Sequence, residues 1–230
     1  MHGEMLEVIF RILEFDADND LVVDIGGGTG SLAHSVWKRA GLKHPVVCVE
    51  PCKGMVEVAR KKEGINVVHA TAEKFVQLGS YQFTKVLVCC FSHLFNQMEL
   101  VFTEVAKQLP SGGVCLVIDR HQDATVPLFK VALDLHIGGH SHSFAENVSK
   151  LVKPMGVTVA TTTEILEYKM KKSLWYSVLR NRYISYLHRL TDEEIEDGIK
   201  ELEADQFKGI RDDDIVIIHD RIEVHRLCKQ

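Results

Sequence analysis

The sequence predicts an α/β fold: a doubly wound, mostly parallel sheet with a C-terminal antiparallel hairpin strand and a helical insertion. Three observations carry the doubly wound parallel sheet. Short apolar runs alternate with segments of helical period through the first half of the chain. Those runs are continuous rather than alternately polar, as parallel strands covered on both faces require. The first run ends in a glycine cluster that leads straight into a helical segment, the usual strand–turn–helix unit of such sheets.

Taken in order, Met5 to Leu13 places Leu6, Ile9, Phe10 and Leu13 at helical spacing, and the polar turn DADND follows. Leu21 to Asp24 is a strand. Ser31 to Arg39 is a helix stopped by Gly41, Pro45 to Glu50 a second strand, and Gly54 to Lys62 a helix ending before Gly64. Ile65 to Val68 and Thr84 to Cys90 are the third and fourth strands, Asn96 to Leu109 is a helix stopped by PSGG, and Val114 to Ile118 is the fifth strand. The second half is less regular. Val126 to His136 and Ser143 to Val152 read as helices, and Val157 to Met170 is β-rich. Trp175 to Leu190 and Asp192 to Phe207 read as helices, and Asp214 to Cys228 as strands around a turn at HDR. The expected organisation is one domain over 1–230, with its core at about 13–170 and 211–230 and the helical insertion at about 171–210.

Composition narrows the function classes. Lys and Arg number 27 against 32 Asp and Glu, a net charge of -5, whereas a duplex-binding surface needs a basic excess. Apolar residues make up 46%, enough for one substantial core. The longest apolar run, Val86 to Phe91, falls far short of the roughly 20 residues that span a bilayer. The first residues lack the features of a signal peptide. Six cysteines are scattered, with Cys48, Cys89, Cys90 and Cys115 inside apolar runs, which reads as buried thiols in a reduced, cytoplasmic setting.

The strongest motif is VVDIGGGTG, in which a strand ends at Asp24 and Gly26, Gly28 and Gly30 lead into a helix. Glycines allow a sharp turn and close approach of a ligand, and the helix start offers free N–H groups and a positive dipole end. A nicotinamide fingerprint can be forced onto Gly28, Gly30 and Ala33, but it leaves Gly26 unexplained. The register D-x-G-x-G-x-G fits directly and resembles the first motif of class I S-adenosylmethionine-dependent methyltransferases. Further pieces occur in order over Leu13 to Asp119. Glu50 ends the second strand where that family places the acid for the ribose hydroxyls, and Pro51 to Met55 resembles its adenine-packing helix start, with Met55 on the ring. HATAEKF resembles the loop that frames the adenine edge, through Thr71, Ala72 and Glu73. The strand Lys85 to Cys90 running into FSHLF resembles its fourth motif, which puts Cys90 at the cofactor, and QLPSGGVCLVID resembles its fifth strand; the two β segments near the C-terminus would then be its reversed, antiparallel hairpin. The family's adenine loop often carries an acid where Thr71 stands, so either Thr71 or Glu73 is the expected adenine contact. The resemblance implies S-adenosylmethionine as cofactor, with Asp24 accepting a hydrogen bond from its methionine end, and no metal.

Other residues carry two readings each. His93, after the fourth strand, is either a substrate contact or general base, or a helix-start histidine bonded to backbone. Asp119, Arg120 and His121 follow the fifth strand as acceptor contacts or a solvated loop. His136, His140 and His142 match no zinc spacing and read as part of a glycine-hinged loop near the acceptor. Cys48 with Cys52, and Cys89 with Cys90, are buried structural thiols rather than reactive ones. Lys171 to Arg189 holds basic residues and tyrosines but no acid, and Asp192 to Asp205 is strongly acidic, so an antiparallel helix pair of complementary charge is expected. Thr191 and Glu194 form its capping box, and Trp175 and Leu179 its seam.

The function expected from the sequence is methyl transfer to a small-molecule acceptor, with no membrane or nucleic-acid partner. Arg120, His121, His140, Trp175, Tyr176 and Arg180 are the candidate acceptor contacts. The 126–142 segment, hinged at Gly138 and Gly139, is expected to close against the Trp175 helix because the N-terminal arm is short. The competing readings are a protein or RNA methyltransferase, and a catalytically silent fold that binds a partner.

Overall fold

The computed structural model describes residues 2–89, 95–121, 123, 125–139 and 144–230, without the side chains of 2, 136–139 and 185. Helix α1 (His2–Ile12) precedes strand β1 (Val22–Ile25), and α2 (Ser31–Ala40), β2 (Val46–Val49), α3 (Lys53–Ala59) and β3 (Ile65–Val68) follow. Next come α4 (Ala72–Leu78), β4 (Lys85–Cys89), α5 (Met98–Gln108) and β5 (Val114–Arg120). The remainder is α6 (Lys130–Gly139), α7 (Phe144–Val152), β6 (Val157–Lys171), α8 (Lys172–Arg180), α9 (Asp192–Ala204) and β7 (Ile215–Lys229).

The strands form one seven-stranded sheet in the order β3-β2-β1-β4-β5-β7-β6. Strands β1 to β5 are mutually parallel. Strand β7 runs against them: Gly112 N donates to Lys229 O at one end and His121 N to Arg221 O at the other. The chain order reverses between β1 and β4, the switch point where open α/β sheets place ligands beyond the carboxyl ends of their strands. Strand alternation explains why the runs look continuously apolar. Val23, Ile25, Val86, Val88, Cys115 and Val117 pack one face against α4, α5 and α7. Their neighbours Val22, Leu87 and Leu116 are equally buried on the other face.

The chain divides into two compact units, one comprising 1–119, 143–162 and 223–230, the other 120–142 and 163–222. Within the second unit, α8 and α9 run antiparallel with complementary charge, as expected. Lys172 Nζ meets Glu203 Oε1 at 2.7 Å near one end, and Arg180 holds Glu196 at 2.6 and 2.9 Å near the other. Trp175 and Leu179 are fully buried. No helix among the described residues is long and apolar enough to cross a membrane.

Four expectations are corrected. The helix expected over 175–190 ends at Arg180, because Arg182 adopts a left-handed φ of 50° and Asn181 Nδ2 turns back onto Ser177 O. Helix α6 starts at Lys130 rather than Val126, since Pro127 disfavours a helical conformation in the residue before it. The segment after β3 is a helix, α4, which buries Ala72, Phe75 and Val76. The turn expected at HDR is absent, and β7 runs unbroken through His219, Asp220 and Arg221.

The capping box at α9 is present. Glu194 N donates to Thr191 Oγ1 at 3.2 Å, and Thr191 N donates to Glu194 Oε2 at 2.7 Å. Thr191→Ala is expected to cost about 1 kcal/mol in urea unfolding, the typical value for a lost cap. An unchanged midpoint would show that the box adds nothing here.

Candidate active site

Strand β1 runs directly into the glycine turn, where Gly26, Gly28 and Gly30 have φ of 77°, 57° and 71°. Gly26 N and Gly27 N both donate to Val49 O, at 2.8 and 3.1 Å, so the turn hangs on the end of β2. Gly30 is the N-cap of α2, and no side chain caps that helix. A Cβ at Gly30 would lie 2.6 Å from Ile65 Cδ1 and 3.2 Å from Ala59 Cβ, so sterics and a positive φ together demand glycine. The first-turn N–H groups of α2, at its positive dipole end, are therefore left to water or a ligand.

Two carboxylates stand beside this turn. Asp24 is 1% exposed, and its Oδ2 is buried without a hydrogen-bond donor. Burial, with the nearby charge of Glu50, pushes its carboxyl up to about 7. Glu50 is also buried, but its Oε2 accepts from Gly28 N at 2.9 Å and its Oε1 from Cys52 N at 2.8 Å. Each carboxylate oxygen keeps capacity for a second donor. Met55 is 43% exposed, and its Sδ lies 3.7 Å from where a Gly28 Cβ would stand. The next residue after Glu50, Pro51, has its carbonyl held by His69 Nε2 at 3.0 Å. A carboxylate with one buried, unpartnered oxygen, an acid held by two backbone amides and an exposed thioether sulfur thus surround one glycine turn.

A family model described as a methyltransferase domain matches residues 22–113, from β1 to the start of β5. Over that span the chain is similar to methyltransferase domains, and its seven-stranded sheet has the class I methyltransferase fold. Among solved structures, this chain resembles the YcgJ protein of Bacillus subtilis, 18% identical over the whole of both chains with a TM-score of 0.61. It also resembles a methyltransferase from an antibiotic biosynthesis pathway of Anabaena variabilis, at 16% identity, 96% of each chain and a TM-score of 0.63. The third, phosphoethanolamine N-methyltransferase 2 of Haemonchus contortus, is 16% identical; the match covers 98% of this chain and 52% of that one, with a TM-score of 0.57. No curated protein sequence matches.

The remaining expected site residues divide clearly. Thr71 caps α4, its Oγ1 accepting from Lys74 N, and Ala72 is buried at that helix's first turn. Glu73 Oε1 accepts from Asn96 N and Gln97 N at 2.9 and 3.3 Å, bracing the start of α5. Burial raises its carboxyl, but those bonds and the ones within its own turn outweigh it and hold the group below its ordinary value. Of the two candidates for the adenine edge, each side chain thus already has work inside the fold. Cys90, His93, His140 and His142 lie outside the described residues. Among the described residues, no three His, Cys, Asp or Glu side chains converge as metal ligands do.

In the second unit, Trp175 is fully buried and its Nε1 donates to Pro127 O at 3.1 Å, so this ring is a core seam and not an open pocket wall. Tyr176 hydroxyl is bonded to Glu203 and Arg180 is paired with Glu196; both residues border a groove of about 520 Å³ along α8 and α9. Arg120 Nε reaches both oxygens of buried Asp220, at 3.2 and 3.1 Å. His121 Nδ1 accepts from Asp123 N at 3.0 Å. Cys48 and Cys115 are buried, and burial pushes each thiol up to about 12, with Asp24 and Glu50 adding to the effect at Cys48. Cys52 is exposed, contrary to expectation, because it stands at the surface start of α3. Sequence reading missed Gly27, where a Cβ would lie 2.6 Å from Cys48 Sγ, although its place inside the glycine run was a sufficient signal. Asp220 was missed because its partner is 100 residues away.

Proposed function

We propose that the protein transfers the methyl group of S-adenosylmethionine to a small-molecule acceptor. The observation that carries the reading is the buried Asp24 Oδ2, which the chain supplies with no donor beneath an uncapped helix start. An orphaned buried acceptor costs about 1–3 kcal/mol, so its retention favours a donor from the ligand. Asp24 would take the ammonium of the methionine end, Glu50 the ribose hydroxyls, Met55 the adenine face, and the turn amides the carboxylate. When bound, the cofactor supplies an electrophilic methyl on its sulfonium. The chain's part is to hold the donor in register and exclude water while the acceptor is aligned, with a base needed only where the acceptor loses a proton early. His93 keeps that assignment as a proposal, as do Arg120, His121 and His140 as acceptor contacts.

A small acceptor is favoured by the net charge of -5, which opposes binding to a polyanion. The Haemonchus structure, whose complex contains phosphomonomethylethanolamine, supports such an acceptor for this fold. Calorimetry with S-adenosylhomocysteine, against NADH as control, tests the cofactor. Binding of NADH alone would sink the reading. Glu50→Ala should weaken S-adenosylhomocysteine by about 1.5–3 kcal/mol, the range for hydrogen bonds to a charged group. Unchanged affinity in a folded variant would remove Glu50 from the site. Labelled S-adenosylmethionine offered to metabolite, RNA and protein fractions separates the acceptor classes, and label in RNA or protein would overturn the small-molecule assignment.

A further inference from the structure

We propose that Lys62, outside every motif recognised above, is the positioning residue that locks the glycine turn in its ligand-binding form. The inference rests on the cofactor reading and adds a residue to it. The near arm of the turn is tied to the sheet through Gly26 N and Gly27 N on Val49 O. The far arm, Gly28 to Gly30, leaves the sheet and enters α2. There, Lys62 Nζ donates to Thr29 O at 2.8 Å from the segment between α3 and β3. The same segment and its neighbours supply Ala59 and Ile65, which close on Gly30. One short stretch of chain therefore buttresses the far arm both sterically and by a charge-assisted hydrogen bond.

The bond matters because of what it orients. Drawing the Thr29 carbonyl toward Lys62 fixes the peptide plane between Thr29 and Gly30, whose N–H donates back to Gly27 O at 2.9 Å. The N–H groups that follow at the start of α2 have no side-chain cap. A turn with three positive-φ glycines has little stiffness of its own. Without the lysine, the competent arrangement becomes one of several, and apparent affinity falls in proportion to its population. Lys62 is also close enough to Cys48 to oppose the effect of Asp24 and Glu50 on that thiol.

The test is calorimetry of S-adenosylhomocysteine on the full chain carrying Lys62→Met or Lys62→Arg, with thermal melts of each. Lys62→Met is expected to bind about tenfold more weakly, the equivalent of one charged hydrogen bond, at an unchanged melting temperature. Lys62→Arg, which keeps a long cationic donor, is expected to recover most of that loss. Wild-type affinity in Lys62→Met overturns the proposal while leaving the cofactor reading intact. Equal weakness of both variants, or failure of Lys62→Met to fold, also overturns it, since either result makes the lysine a general structural support. If the unaltered protein does not bind S-adenosylhomocysteine, the cofactor reading and the proposal fall together.

Discussion

Asp220→Ala is expected to lower the free energy of unfolding by about 3–5 kcal/mol, the cost of leaving one member of a buried ion pair behind. Arg120 ends β5 and Asp220 lies in mid-β7, with side chains 13% and 5% exposed. Burial lifts the Asp220 carboxyl above its ordinary value even though Arg120 and its hydrogen bonds pull it down. Desolvation thus works against the attraction, and buried ion pairs of this kind are costly to split but cheap to replace. Arg120→Met combined with Asp220→Leu should restore stability to within about 1–2 kcal/mol of the wild type. Urea unfolding of the two single variants and the double variant measures this directly. A double variant as unstable as Asp220→Ala would mean that the pair is a net source of stability and that the argument is wrong.

Asp24 gives the second large effect, through pH. Its carboxyl has an ordinary value of 3.8 and sits at about 7 in the folded chain, so the native state holds a proton that the unfolded state has released. The stability associated with that proton is complete below about pH 4 and is lost as pH rises through 7. At about 1.4 kcal/mol per pH unit, the whole span amounts to as much as about 4 kcal/mol. Ligand-free protein should therefore melt progressively lower between pH 5 and pH 8, and Asp24→Asn, which carries no charge at either pH, should flatten that slope. An Asn variant with the wild-type slope would place the titration elsewhere. Above pH 7 the carboxylate is ionised and unpartnered, the form best suited to take an ammonium group.

How legible these features were depended on whether their partners were local. The turn at Gly26 to Gly30 and the acid Glu50 stood out because backbone conformation and strand position constrain residue type over a few positions. The α9 capping box and the charge pairing of α8 with α9 were readable for the same reason, since both follow helical spacing. Asp220 was misread as part of a turn because a polar triplet usually ends a strand; here it is buried in mid-strand against Arg120. The break after Arg180 was hidden because Tyr183, Ile184 and Leu187 keep a helical apolar rhythm while Arg182 takes a left-handed backbone. Glu73 offered an acid in the expected loop, yet its bonds to Asn96 and Gln97 depend on where α5 begins. Lys62 looked like any solvated lysine at a helix end. Its role lies in a contact to a carbonyl 33 residues away, which side-chain patterning does not record.

The strand order has a consequence for how the chain assembles. Strand β7 follows every other strand in sequence, yet it occupies the slot between β5 and β6. During synthesis, β1 to β5 can close into a sheet from short, local crossovers, whereas β6 has no neighbour until residues 215–229 arrive. Until then, β5 presents an open edge of the kind that templates pairing with other chains. Insertion of β7 closes a loop of about 100 residues, the slow and entropically expensive class of contact. The nascent chain is thus most exposed to aggregation just before β7 docks, and the step that ends this exposure also brings Asp220 to Arg120.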